Sequence, residues 1–411
     1  MTLSKIYQSL TIHHNDDTSS SSSVYHVQQQ LLPPPLLPPY SIPSDSITIP
    51  SNYKFVVVAP IYYTSINEIR FQLALEACQE AAKYGIKLLL VDGSPIPEDR
   101  EEDNLSTLLT KAGNKKNEED SSSTNDASSS NIKDWLSSST LYTKVLRQQS
   151  NGKKGVALRE AISAACQEMN ASGADGNNNP HDHNNIVAFQ ELEKVNMFQH
   201  WKYIIHTMIE GGGRGGNGKG GATDMDIDIM IPGRFGKSFK ETYPIEQYYA
   251  ETFGNLYLNS LTTTSSTATV NNKKNTTSAT TTGLLPSNID YTFGPMALRC
   301  SYASYWLNYV DGEIWDAQII PMIHAAYGTN YVSTKNIGPA SQSLHVPALR
   351  PPAKVYTITI DYKHSSKMKQ QEEYDPTWSE KRLMQLNFLK DTVANELKKH
   401  NHHHHQQQRR R

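Results

Sequence analysis

Lys54-Phe55-Val56-Val57-Val58-Ala59-Pro60 and Ile86-Lys87-Leu88-Leu89-Leu90-Val91-Asp92-Gly93-Ser94-Pro95 decide the fold, together with Glu68–Tyr84 between them. The first is a short β-branched run ended by a proline, and the second an apolar run ended by a glycine turn. Between them Ile69, Leu73, Ala77 and Ala81 recur at helical spacing until Gly85 stops the pattern. Strand, helix and strand in that order build a parallel pair with a right-handed crossover. The alternation continues outward. Thr143–Arg147 reads as a third strand, Gly155–Met169 as a helix, Ile186–Phe189 as a buried strand and Lys194–Ile209 as a helix. Asp228–Ile231 adds a strand, Ile245–Leu258 a helix, Ala297–Tyr309 another helical stretch and Phe388–Lys398 a last helix. The expectation is an α/β domain with a Rossmann-like, mostly parallel sheet flanked by helices.

Around these segments the chain is polar. Of its 411 residues only 37% are hydrophobic, and the mean hydropathy is -0.58. The deficit sits in tracts of Ser, Thr, Asn, Gly and His, so a normal core remains once they are subtracted. Residues 1–50 read as a disordered lead-in, and tracts near 98–130, 170–185, 211–223 and 261–283 as disordered inserts in one domain spanning 51–346. A C-terminal extension, 347–399, contains a polar stretch near 364–375, and 400–411 is a low-complexity tail. Long polar loops are tolerated because closure entropy grows slowly with length.

Formal net charge is -2, which gives no global basic field to attract nucleic acid or anionic membrane. No run approaches the roughly 18 apolar residues that span a bilayer. The N-terminus lacks a charged-then-apolar signal, which argues against secretion or a membrane anchor. Cys78, Cys166 and Cys300 lie far apart and are expected as buried reduced thiols, which suits the cytoplasm.

In open parallel sheets ligands bind beyond the carboxyl ends of the strands. The loops after Ala59, Val91 and Phe189 should therefore line one crevice. Asp92, before Gly93 and Ser94, is placed to hydrogen-bond a ribose or base, or to close an Asx-type turn. Gly152-Lys153-Lys154-Gly155 opens a helix; glycines permit close backbone approach and lysines add charge, which suits a diphosphate or an ordinary solvated helix start. Glu191 and Glu193 follow a strand directly and could hold a hard divalent cation, or serve as the acidic first turn of a helix. His345 and His324 are possible third ligands, with His345 preferred.

Asp224, Asp226 and Asp228 form a rival acidic set, but they precede their strand and so lie at the wrong edge. Gly213–Lys219 mimics a phosphate-binding loop, yet Gly220 stands where a magnesium-holding hydroxyl belongs. Downstream, Asp290, Gly294 and Trp315-Asp316 sit beside Tyr302, Tyr305, Trp306 and Tyr309. Aromatic faces with carboxylates suit a sugar or polyol acceptor, with Asp316 as base or positioning group, although aromatics at helical spacing also build cores.

In their order these pieces resemble glycosyltransferases of the A fold, particularly the family 2-like enzymes and the mannosylglycerate synthase-like group. Val56–Pro60 is similar to their opening strand, and Leu90–Ser94 with Pro97-Glu98-Asp99 to their nucleoside-binding strand and turn. Asn151–Ala157 is similar to their Gly-Lys element. Glu191-Leu192-Glu193 falls where they carry Asp-x-Asp, the metal and diphosphate ligand, and Gly294–Arg299 with Trp315-Asp316 resembles their acceptor segment and catalytic carboxylate. The resemblance spans about residues 53–346, tracts excluded. It implies sugar transfer from a nucleoside-diphosphate sugar to a hydroxyl or glycan acceptor, assisted by Mg²⁺ or Mn²⁺. Pro60, Asp92, Gly93, Ser94, Lys153 and Lys154 would bind the donor, and Glu191, Glu193 and His345 the metal. The departures are Glu for Asp twice and the absence of a second aspartate after Asp92. Ile231-Pro232-Gly233-Arg234 with Tyr243-Pro244 and Gln247 has no counterpart, and Arg234 is assigned to a donor or acceptor phosphate. Two other functions fit the same residues: a non-catalytic nucleotide-sugar-binding module, and a sugar-1-phosphate nucleotidyltransferase. The second needs a glycine-rich basic loop after the first strand, where Pro60–Thr64 has no glycine.

Overall fold

The computed structural model describes residues 47–95, 104–114, 132–150, 153–171, 184–211, 227–267, 285–329, 331 and 351–410. Strand β1 (Lys54–Ile61), helix α1 (Ile69–Lys83) and strand β2 (Lys87–Asp92) form the expected unit, with β1 and β2 parallel and Val58 opposite Leu89. Then come α2 (Asn104–Gly113), α3 (Ile132–Ser137), β3 (Thr143–Arg147), α4 (Lys154–Ala171), β4 (Asn185–Phe189) and α5 (Phe198–Glu210). The second half carries β5 (Ile229–Arg234), α6 (Gly236–Thr242), α7 (Ile245–Thr267), β6 (Met296–Arg299), α8 (Ser304–Asn308) and α9 (Asp316–Tyr327). Strand β7 (Val355–Ile360) and helices α10 (Ser366–Tyr374) and α11 (Pro376–Arg410) complete it.

The sheet order is β3-β2-β1-β4-β6-β5-β7. It is mixed: β6 runs antiparallel to both β4 and β5, and the other pairings are parallel. Because β6 reverses twice, β4 and β5 point the same way. The carboxyl ends of β1 to β5 and β7 therefore share one edge with the chain that enters β6.

Alternate residues of a strand face opposite layers, and here both layers are apolar. Val56, Val58, Val187 and Phe189 pack with α4, α8, α9 and α11 on one face. Val57, Ala59, Ile186 and Ala188 pack with α1, α5 and Leu109 of α2 on the other. That two-sided demand explains why β1 and β4 are continuously apolar.

Several expectations are corrected. The stretch Ala297–Tyr309 is strand β6, a short 3₁₀ turn and the short helix α8, because its apolar residues fill a central strand position. The tract near 98–130 contains α2, whose Leu109 is fully buried. The polar stretch near 364–375 contains α10, and Glu372 and Met368 on it are buried. The extension 347–399 supplies an edge strand of the same sheet. Leu386, Leu389, Val393 and Leu397 of α11 are buried against the core, and each such side chain contributes about 1.5–3 kcal/mol, enough together to dock the helix. The tracts near 170–185 and 261–283 also lend residues to regular elements, since α4 runs to Ala171, β4 starts at Asn185 and α7 runs to Thr267; the expectation for residues 1–46 and for the remainder of the inserts lies outside the described residues. Among the described residues no helix is long and apolar enough to cross a membrane.

Cysteine usage also differs from expectation. Cys166 on α4 and Cys300 beyond β6 form a disulfide with Cα atoms 5.6 Å apart, although 134 residues separate them in sequence. Helix α4 lies over β4, and β6 is the neighbour of β4, so the fold brings together thiols that spacing keeps apart. Cys78 is free and buried, and burial pushes its thiol up to about 12.

Gly155 explains one tight contact. A Cβ there would lie 2.2 Å from the Gly312 carbonyl oxygen and 2.9 Å from Ala317 Cβ, whereas Gly236 faces open space. Gly155→Ala should lower the stability by about 1–3 kcal/mol in urea unfolding, the range for overpacking, with Gly236→Ala near neutral; equal effects would contradict the packing. Helix α11 offers a pH test. Burial raises the Glu396 carboxyl, but hydrogen bonds from His324 and Lys399 overcome it and bring it down to about 2. A depressed carboxyl contributes stability that is present above the ordinary range near 4.5 and lost as pH falls toward about 2. Glu396→Gln should therefore flatten the acid limb of the Tm–pH curve over that window, and an unchanged limb would contradict this pairing.

Candidate functional site

A cleft of about 530 Å³ opens at the shared strand edge. Pro60 and Ile61 at the end of β1 and Tyr62 after it line it, and Glu191, Glu193 and Lys194 after β4 stand within it. The remaining wall comes from Arg234 of β5, Trp315 before α9, His364 after β7, and Trp378 and Arg382 on α11.

The β4 tip is shaped by alternation. Gln190 is buried, accepting a 2.5 Å hydrogen bond from Trp201 Nε1, and Leu192 is buried in the α1–α5 layer. With Gln190 and Leu192 anchored inward, Glu191 and Glu193 turn toward the cleft. Lys154, the first residue of α4, donates to Glu191 Oε1 at 2.6 Å, and Lys194 donates to Oε2. Burial alone would raise the Glu191 carboxyl, but the two ammonium groups hold it well below the usual carboxylate range. Lys194 is raised despite burial, chiefly by Glu191. Glu193 pairs with Arg70 of α1, whose Nε lies 2.5 Å from Oε1. Arg70–Glu193 balances itself, as does Lys153 with Glu313 at 2.5 Å on the rim. The triad Lys154–Glu191–Lys194 keeps one positive charge.

This donor set does not fit a divalent cation. Both oxygens of Glu191 already accept ammonium protons, and Glu193 already accepts a guanidinium. A cation within roughly 4 Å of two ammoniums would meet repulsion on the order of several kcal/mol from each at a surface-like dielectric. Among the described residues no three His, Cys, Asp or Glu side chains gather into a metal-ligand group. His345 lies outside the described residues, as do Asp224, Asp226, Gly152 and Gly213–Lys219. His324 is buried on α9 with Glu396 and Thr329 and does not line the cleft.

Asp92 is held within its own turn. Its Oδ1 accepts the Ser94 amide at 2.8 Å, and its Oδ2 accepts Ser106 Oγ at 3.2 Å and faces Arg147 at 3.7 Å. Ser94 Oγ in turn accepts the Tyr63 amide at 2.9 Å, and Gly93 donates to the Ile61 carbonyl at 3.0 Å. These three residues fasten β2 to the β1 loop and to α2; none of them lines the cleft. Ser106 belongs to α2, in the polar tract near 98–130, and no local pattern in the sequence links it to Asp92 fourteen residues before.

Asp316 caps α9. Its Oδ1 accepts the amides of Glu313 at 3.3 Å and Ile314 at 3.0 Å, and its Oδ2 accepts Tyr309 Oη at 3.3 Å. At 3% exposure it is a loop-fastening carboxylate away from the cleft wall, where Ile314 and Trp315 stand instead. Its assignment as base is corrected accordingly, since its lone pairs serve the loop.

Arg234, assigned to a phosphate, is a buried brace. It meets Asp290 through Nε and Nη2, both at 2.8 Å, Glu251 at 2.7 Å and Thr292 at 2.8 Å, and it stacks on Phe239 at 3.7 Å. Burial would raise Asp290, yet Arg234 beside it lowers the carboxyl. Asp290 also accepts Asn255 Nδ2 at 2.7 Å, so it is held within this network, while the second oxygen of Glu251 accepts Gln247 at 2.8 Å and faces Arg382 at 3.4 Å. Gly294 has a φ of 96° at the entry to β6, a conformation that favours glycine, and its role is that turn. Trp315 does line the cleft, with Arg382 5.2 Å from its ring.

Sequence reasoning passed over Tyr62, Arg70, His364, Glu372 and Arg382. Tyr62 was detectable as an aromatic directly after the strand-ending proline. His364 and Glu372, 3.0 Å apart, are eight residues from each other on β7's exit and α10, and no pattern marks that distance as a pair. His364 also stacks on Tyr243 at 4.2 Å.

No family model matches the chain, and no characterised protein matches it as a relative. The site's geometry therefore carries the functional reading.

Arg234→Met leaves Asp290 and Glu251 buried without their shared cation, and breaking such pairs costs roughly 3–5 kcal/mol. Urea unfolding at neutral pH should register a loss of that order, with Arg234→Lys recovering only part because lysine lacks the fork. A loss below about 1 kcal/mol, the value of a surface pair, would contradict the brace.

Proposed function

We propose that the chain transfers a sugar from a nucleoside-diphosphate sugar to a hydroxyl-bearing acceptor in this cleft. The observation that carries the reading is the surplus positive charge of Lys154–Glu191–Lys194 within a cleft of about 530 Å³ at the carboxyl edge of the sheet. That volume lies in the range of small-molecule sites, and that edge is where α/β sheets bind nucleotides. The diphosphate would lie against the two ammoniums. Tyr62, 60% exposed on the wall, offers a face for the base in place of Asp92. Trp315 and Trp378, also in the cleft lining, suit the apolar faces of sugar rings, and Arg382 lies over Trp315. His364, held by Glu372, lines the cleft as well.

One observation favours a second reading. The carboxylate that the resemblance makes catalytic, Asp316, is engaged by its own loop, as a binding module without transferase activity would allow. Donor consumption separates the two: a transferase consumes the donor when an acceptor is supplied, and a module only binds it.

A thermal-shift panel of UDP-, GDP- and ADP-sugars tests the donor assignment. One base is expected to raise the Tm, and Tyr62→Ala should weaken its binding about tenfold, as loss of one base-stacking partner does. A panel in which none of the donors stabilises the protein would contradict both readings.

A further inference from the structure

We infer that the divalent cation implied by the family resemblance is replaced in this chain by Lys154 and Lys194, so that the diphosphate is held by ammonium groups alone. The inference rests on the donor reading above and states how that site handles charge.

Metal bridging needs carboxylate lone pairs free toward the cleft. Glu191 gives one oxygen to Lys154 at 2.6 Å and the other to Lys194. Lys194 is further fixed 5.6 Å from the Phe293 ring, and its side chain is 15% exposed. Lys154 has no other assigned ion-pair partner among the described residues. An ammonium has three N–H donors, so each lysine retains donors for phosphate oxygens after serving Glu191. The first amides of α4 contribute less than a bare helix start, because Gly155 N–H donates to the Glu313 carbonyl at 2.9 Å. The lysine side chains therefore supply the charge. Glu191 acts as the clamp that holds two like charges side by side while cancelling one of them, and the remaining charge faces the cleft. The Glu-x-Glu motif follows from the same arrangement: the longer glutamate reaches across to ammoniums on α4 and on its own turn.

The test is calorimetric titration of the full chain with inorganic pyrophosphate, once in EDTA and once in Mg²⁺. The expected result is binding in EDTA. Lys154→Met should weaken it about tenfold or more, the scale of one charge-assisted hydrogen bond. Glu191→Gln takes away the clamp's charge and loosens both lysines, so binding should weaken without being lost, and to the same extent in EDTA and in Mg²⁺. Binding that requires Mg²⁺ and is abolished by Glu191→Gln would overturn the inference while leaving the donor reading intact. Absence of binding under both conditions would also overturn it, and a blank nucleotide-sugar panel beside that absence would remove the donor reading as well.

Discussion

Glu191 leaves the tip of β4 with each carboxylate oxygen on a different lysine, and the cleft is organised around that shared ion pair. Lys154 arrives from α4 and Lys194 from the turn after β4, so the pair ties the helix layer to the strand edge. Its position follows from the sheet. Strand β4 is central, with β1 and β6 as neighbours, and Leu192 is pulled into the core, leaving Glu191 to face the opening. A partly buried carboxylate between two cations is stable only if all three remain charged, since removing any partner uncovers desolvated charge. The same logic governs Arg234 with Asp290 and Glu251. These two networks border one cleft and meet at the Phe293 ring, 5.6 Å from Lys194 and 5.1 Å from Arg234, and they differ in consequence: the arginine is matched by buried carboxylates, whereas the lysine triad keeps charge in excess.

Much of the fold was legible because it rests on local pattern. β1, α1, β2, β3, α4 and β4 follow from apolar runs, a helical repeat and glycine or proline stops, each confined to a few residues. What was not legible depended on pairing. Strand β6 reads as helix because Ala297 and Leu298 run on toward a Tyr–Trp-rich segment at helical spacing, and only its position between β4 and β5 makes it a strand. The helix α2 hides in a polar tract because its single fully buried anchor, Leu109, is a weak signal beside the Ser and Asn that follow.

The candidate site divides along the same line. The strand-end rule found the loops of Pro60 and Glu191, the glycine-lysine helix start found Lys154, and the same edge rule excluded Asp228, whose carboxylate accepts the Lys354 amide at 2.8 Å. Residue type alone could not say whether Asp92, Asp316 or Arg234 was free. Each is a chemically capable side chain engaged by partners remote in sequence or in the loop it closes: Ser106 for Asp92, Tyr309 for Asp316, and Asp290 with Glu251 for Arg234. The cysteines repeat the lesson, since Cys166 and Cys300 meet only through the packing of α4 over β4 and β6.

The ionisation of Glu191 tests this account most directly. Carbon-13 NMR of the glutamate side-chain carboxyls, with Glu191 assigned by its disappearance in Glu191→Gln, would follow its titration. The account predicts a midpoint well below the ordinary glutamate range, moving upward in Lys154→Met. A midpoint in the ordinary glutamate range, unmoved by that substitution, would mean the two lysines do not share this carboxylate.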